Sequence, residues 1–189
     1  MAAKFKVSFE LDEEDADYFR TLYRKAKREA KTHEPDKIIA DAREIVSTVR
    51  KSKKTPKFVV DAIGTLADLT DLIQDADYSP PKKLQEEVLA AIAYFSNPDD
   101  LIPDSIPGLG FLDDAIMIKF VEEEFKHELW GYRKFCARRD SKVQRPWQQP
   151  GKDRLAADLA DDRKRIRGDI MKRQAKEAER KRARGHAGW

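Results

Sequence analysis

Apolar residues recur through most of this chain at the three-and-four spacing of a helix surface, after one short stretch of strict alternation. Phe5, Val7, Phe9 and Leu11 alternate with Lys4, Lys6, Ser8 and Glu10, which predicts a half-buried strand. Asp12 then caps a helix whose first turn is acidic, as the helix dipole favours. Its apolar face reads Tyr18, Leu22, Tyr23 and Ala26, and it runs to about Lys31. A second helix opens at Pro35 and carries Ile38, Ile39, Ala42, Ile45, Val46 and Val49. A third starts at Thr55-Pro56, with Phe58, Val59, Ala62, Ile63, Leu66, Leu69, Leu72 and Ile73 inward and Asp61, Asp68, Asp71 and Asp75 outward. Ser79-Pro80-Pro81 ends it and starts a fourth, with Leu84, Val88, Leu89, Ile92 and Phe95 inward.

The pattern then breaks. Between Tyr94 and Ile118, three prolines and two glycines hold about a dozen residues out of regular structure, because proline fixes φ and restricts its predecessor. Asn97, Pro98, Pro103, Pro107 and Gly110 frame this elbow. Five aspartates (Asp99, Asp100, Asp104, Asp113 and Asp114) sit in it among Leu101, Ile102, Ile106, Leu109, Phe111 and Leu112. A fifth helix follows from near Phe111, with Ala115, Ile116, Phe120, Val121, Phe125 and Leu129 inward, to about Phe135. Pro146, Pro150 and Gly151 make a second break. Beyond it, Leu155, Leu159, Ile166 and Ile170 form a thin stripe on a long helix otherwise made of charges. So little apolar area does not fold alone, and the helix is expected to dock on the bundle or on a partner.

The elbow carries a recognisable motif. Ser96, Asp99 or Asp100, Leu101, Ile102, Pro103, Asp104, Ile106, Pro107, Leu109, Gly110, Leu112, Asp113 and Asp114 match, at fixed spacing, the hallmark of the YkvA-like proteins (domain of unknown function 1232), which this chain resembles over about residues 84–126. The resemblance implies a small helical bacterial module, in many members linked to membranes, with no established reaction and no catalytic roles to transfer. This chain departs from it in having no second hydrophobic segment after the motif, so membrane insertion is not expected.

Composition narrows the classes. The net charge of +3 hides strong segregation. Residues 20–57 carry 13 basic and 5 acidic side chains, residues 84–129 carry 2 and 11, and residues 130–189 carry 19 and 8. No apolar block opens the chain and no run of about 18 apolar residues spans a bilayer, so a cytoplasmic protein with at most peripheral membrane contact is expected. A single cysteine, Cys136, excludes an internal disulfide and fits a reducing compartment.

Three chemistries are open. Asp100, Asp104, Asp113 and Asp114 could gather oxygens around a divalent cation, the basis of a metal-dependent enzyme, although no cofactor is required. The competing reading is that they accept backbone N–H bonds at the prolines and helix start, with a partner-binding acidic surface as a third. Glu124 and His127 have the spacing of a di-iron ligand pair, but that site needs a second copy, which the chain lacks. The lone strand needs a mate, which suggests a homodimer through it, and strand-helix-helix over Lys4 to Lys51 resembles a ribbon-helix-helix DNA reader. Finally, residues 163–184 hold 11 basic and 3 acidic residues. Arg163, Lys164, Arg165, Arg167, Lys172, Arg173, Arg180, Lys181, Arg182 and Arg184 could bind nucleic acid, anionic lipid or an acidic protein.

The fold expected is therefore mainly α: a bundle of about five helices with a short N-terminal β-strand and a long charged C-terminal helix. It divides into a strand-helix-helix region (1–54), a helical core holding the elbow (55–145) and a basic tail (146–189). The leading function is a non-catalytic interaction or adaptor module, with the elbow as a rigid platform and the tail as its attachment to a polyanion or protein partner; no catalytic residue is assigned.

Overall fold

The computed structural model describes residues 10–30, 33–52, 55–96, 102, 106, 110–143 and 152–186. Six α-helices lie among them: α1 (Glu13–Glu29), α2 (Pro35–Lys51), α3 (Lys57–Gln74), α4 (Lys82–Ile92), α5 (Leu112–Val143) and α6 (Lys152–His186), with a 3-10 turn (Ala93–Ser96) extending α4. The mainly α expectation holds. The N-terminal β-strand does not: no strand occurs among the described residues, and Glu10 and Leu11 are exposed, irregular chain leading into α1. Alternation alone supplies no partner for a strand's backbone groups. The remainder of that stretch (Phe5, Val7, Phe9), and with it the expected dimer contact and DNA-reading ribbon, lies outside the described residues.

The helix starts follow their local chemistry. Asp12 accepts from the backbone N–H of Asp15 at 2.9 Å, while the Asp15 carboxylate accepts from the Asp12 N–H at 3.3 Å. This reciprocal cap satisfies two donors that the first turn leaves orphaned. Pro35 begins α2 where a missing N–H costs nothing.

α3 is the centre of the core. It buries Val59, Ala62, Ile63, Leu66, Leu69, Leu72 and Ile73, and packs against α2 on one side and α5 on the other. α2 contributes Ile38, Ile39, Ala42, Val46 and Val49. α4 and its 3-10 turn add Val88, Ala91, Ile92 and Phe95, and α1 lies across them and the start of α5. Ser79 (φ 46°) and Phe111 (φ 67°) adopt the left-handed conformation at the turns before α4 and α5. Each costs a non-glycine residue about 1–2 kcal/mol, which at Phe111 is offset by burying the ring.

Several expected faces shift. Phe58 is 48% exposed rather than inward, and Tyr18 is 52% exposed. On α1 the inward residues are Tyr23 and, partly, Leu22 as expected, joined by Phe19, which stacks on Phe120 at 6.3 Å. On α5 Met117 and Ile118 are buried where Ile116 and Phe120 were expected. That helix also continues past Phe135 to Val143, with a break in helical geometry at Phe125 (φ −103°, ψ 15°).

The charged C-terminal helix docks in cis. Leu159, Ile166 and Ile170 are buried against α5, and Leu155 packs at the margin. Gly131 makes the approach possible: a Cβ there would stand 2.4 Å from Ile170 Cδ1 and 3.1 Å from Ile166 Cγ2.

Candidate functional site: the aspartate elbow and the outer face of helix six

Asp113 and Asp114 open α5 and are buried, at 4% and 6% exposure. The Asp113 Oδ2 accepts from the backbone N–H of Ile102 at 3.2 Å, eleven residues back, which ties the elbow to the first turn of the helix. Asp114 is also engaged in an interaction of its own. Gly110 donates its N–H to the Ile106 carbonyl at 2.9 Å, closing the last turn before α5. Asp100 and Asp104, with Asn97, Pro98, Pro103 and Pro107, lie outside the described residues. Of the four predicted ligands the structure thus places two, side by side in sequence. No group of three metal-ligating side chains is brought together among the described residues. What Asp113 does there is accept a main-chain donor from the elbow, a tether between loop and helix and not a cap on the first turn of α5 itself.

An aspartate that sequence reasoning placed outward proves more connected. The Asp75 side chain turns inward at the end of α3. Its Oδ1 accepts from the N–H groups of Asp77 (2.9 Å) and Tyr78 (3.0 Å), and its Oδ2 from Tyr132 Oη (3.1 Å) and an Arg139 guanidinium N–H (2.7 Å). One carboxylate therefore shapes the turn into α4 and ties it to α5. Tyr78, held above it, is buried against Tyr132 and Phe135. Burial pushes the hydroxyls of Tyr78 and Tyr132 far above the ordinary phenol range, so both stay neutral donors.

α6 is seated on α5 by an antiparallel ladder in which α5 supplies cations and α6 carboxylates. Arg138 and Lys142, one turn apart, hold Asp162 at 2.9 and 2.7 Å. Lys134 holds Asp169 at 3.1 Å. Lys126 and His127 hold Glu177 at 2.7 Å each, with Lys181 of α6 joining at 2.9 Å. Hydrogen bonds from Lys126 and Lys181 hold the Glu177 carboxyl down to about 2. Trp130 lies between Lys134 and Arg173, whose cationic groups sit 4.5 and 4.4 Å from the ring centre. Arg163 and Arg167 donate to the carbonyl oxygens of Asp77 and Ser79 in the turn that Asp75 shapes.

The ladder sorts the predicted polyanion ligands. Arg163, Arg167, Arg173 and Lys181 are engaged within the molecule. Lys164, Arg165, Lys172 and Arg180 are exposed, and none makes an ion pair among the described residues. Arg182 is exposed with an interaction of its own, and the Arg184 side chain is outside the described set. Lys176, omitted from the sequence-based ligand set, joins the exposed group. Spacings of seven, four and four residues put Arg165, Lys172, Lys176 and Arg180 on one side of the helix, a stripe of about 22 Å at 1.5 Å per residue.

No helix among the described residues is long and apolar enough to cross a membrane. No solved structure matches the chain. The family described as "Protein of unknown function (DUF1232)" matches residues 87–120, from α4 through the elbow into α5. The "Uncharacterized membrane protein YkvA" of Bacillus subtilis (strain 168) is 35% identical over 85 residues, covering 44% of this chain and 79% of that relative. By that relative and by the elbow, the chain belongs to the YkvA-like family of proteins of unknown function (DUF1232).

Proposed function

We propose that this protein is a non-catalytic attachment module, in which the helical bundle holds α6 rigidly so that its outer basic face binds an anionic surface. The observation that carries this reading is how α6 spends its side chains. Leu159, Ile166 and Ile170 and the carboxylates of Asp162, Asp169 and Glu177 are used against α5. What it turns outward is mostly cations (Lys164, Arg165, Lys172, Lys176 and Arg180) without ion-pair partners among the described residues, against the two exposed carboxylates of Asp161 and Glu179. A flexible basic tail loses chain entropy when it binds; one already held as a helix does not. A relative carries the name of a membrane protein. Anionic lipid is accordingly the surface we favour, since each basic side chain near it contributes about 1 kcal/mol and no spanning helix is needed.

Flotation of the full chain with phosphatidylglycerol vesicles tests this. Binding is expected to fall steeply with salt and to be lost in Arg165→Glu/Lys172→Glu/Lys176→Glu, whose side chains make no ion pair or side-chain hydrogen bond among the described residues. Neutral phosphatidylcholine vesicles should leave the protein at the bottom. Retention that the triple variant leaves intact would overturn the assignment. Salt-sensitive binding to duplex DNA without vesicle flotation would move it to nucleic acid.

A further inference from the structure

A second cationic feature lies away from that stripe, where α1 crosses α5 and the far half of α6. The three helices flank an open groove of about 950 Å³. That volume is in the range of small-ligand sites. Among its lining residues, six are Lys or Arg and three are Glu. Its wall includes the rings of Tyr23 and Phe120.

Most of these charges are already committed. Arg20 holds Glu13 and Asp17, Lys27 holds Glu124, and Lys126 and Lys181 share Glu177. Arg24 and Arg28 are different. They stand one turn apart on α1, exposed at the groove, and neither has an ion-pair partner among the described residues. Tyr23 and Lys27 bind both oxygens of Glu124, which keeps that carboxylate from neutralising them. Two guanidiniums at i and i+4 stand one turn apart, near enough for one tetrahedral anion to accept from both, and guanidinium pairs well with phosphate. With the other cations of the lining already paired, Arg24 and Arg28 leave two uncompensated positive charges at the groove, which suits a ligand carrying more than one negative charge.

We infer that the groove between α1, α5 and α6 is a binding site for a small phosphate-bearing ligand, with Arg24 and Arg28 as the anion clamp and the Tyr23 and Phe120 rings beside the remainder of the molecule. A soluble phosphate ester and a lipid headgroup share that chemistry.

Calorimetric titration of the full chain tests it, with inorganic pyrophosphate in one arm and monomeric dihexanoyl phosphatidic acid in the other. Saturable one-site binding is expected in at least one arm. Saturation by pyrophosphate alone assigns a soluble ligand, saturation by the lipid alone assigns a headgroup, and saturation by both assigns the phosphate itself. Loss of the clamp in Arg24→Gln/Arg28→Gln weakens binding by about tenfold or more, because two charge-assisted forks are removed. Ala178→Phe, which fills the groove without changing its charge, weakens it as well. Arg165→Gln/Lys172→Gln, on the outer face of α6, leaves it unchanged, so failure of this site and failure of the attachment face read out separately. No saturable heat in either arm, or full affinity in the Arg24→Gln/Arg28→Gln protein, overturns the proposal.

Discussion

Gly131 and Ile170 meet so closely that the hydrogen on the glycine Cα is all the space between α5 and α6 allows; a Cβ would lie 2.4 Å from Ile170 Cδ1. Alanine at 131 is tolerable, because the clash is with the end of a rotatable side chain and the gain in helix propensity is about 1 kcal/mol. Leucine is not. Gly131→Leu is expected to destabilise by about 2–3 kcal/mol through overpacking, and Ile170→Ala in the same chain should return part of it. Urea unfolding of the single and double variants checks both.

Asp75 carries four hydrogen bonds in a largely buried position. Asp75→Ala is expected to cost about 3 kcal/mol, since it removes the acceptor of the Tyr132 hydroxyl and of two backbone donors and leaves Arg139 only its longer ion pair with Asp77. Asp75→Asn keeps an acceptor for the backbone and should cost less. The same unfolding experiment ranks the two.

Acid should loosen α6 from its far end. The Glu177 carboxyl is held down to about 2 by Lys126, Lys181 and His127, below its ordinary value near 4.5. A depressed carboxylate supports the folded arrangement fully above its unfolded pKa. That support drains away as the pH drops from about 4.5 toward 2. Protection of the amides of residues 171–183, corrected for the intrinsic pH dependence of exchange, should therefore fall as the pH drops from about 4.5 toward 2, and Glu177→Gln should diminish that fall.

Asp113→Asn tests the role of the elbow. As an acceptor for the Ile102 N–H, the neutral side chain is weaker, and a loss of about 1 kcal/mol in stability is expected. Addition of Mg²⁺ or Ca²⁺ should shift the melting temperature of neither protein. A metal-dependent rise present only with aspartate would replace anchoring by ion binding.

Much of the fold was legible because burial leaves a period. Ile38 to Val49 and Val59 to Ile73 repeat at helical spacing, and even the thin stripe of Leu159, Ile166 and Ile170 announced a docked helix. Caps at Asp12 and Pro35 marked two starts. Where the sequence misled, a distant contact decided. Tyr18 and Phe19 are neighbours, and only the Phe120 ring on another helix chooses Phe19 as the inward one. Asp75 looks like one more solvent-facing acid of α3, because its partners Tyr132 and Arg139 stand 57 and 64 residues away. The alternating N-terminal stretch had the right rhythm for a strand, but rhythm describes which face is apolar, not whether a second strand exists to pair with it. Of the elbow, the motif was plain in sequence, while the tie from Asp113 to Ile102 needed coordinates.

The rungs between α5 and α6 also fix where the helix can sit. Sliding α6 by four residues one way would set Arg173 where Glu177 meets Lys126, and Arg165 where Asp169 meets Lys134. Sliding it the other way would set Lys181 and Arg173 in those same places. Either displacement presses cation on cation at two steps at once, so both four-residue slides are disfavoured against the register observed.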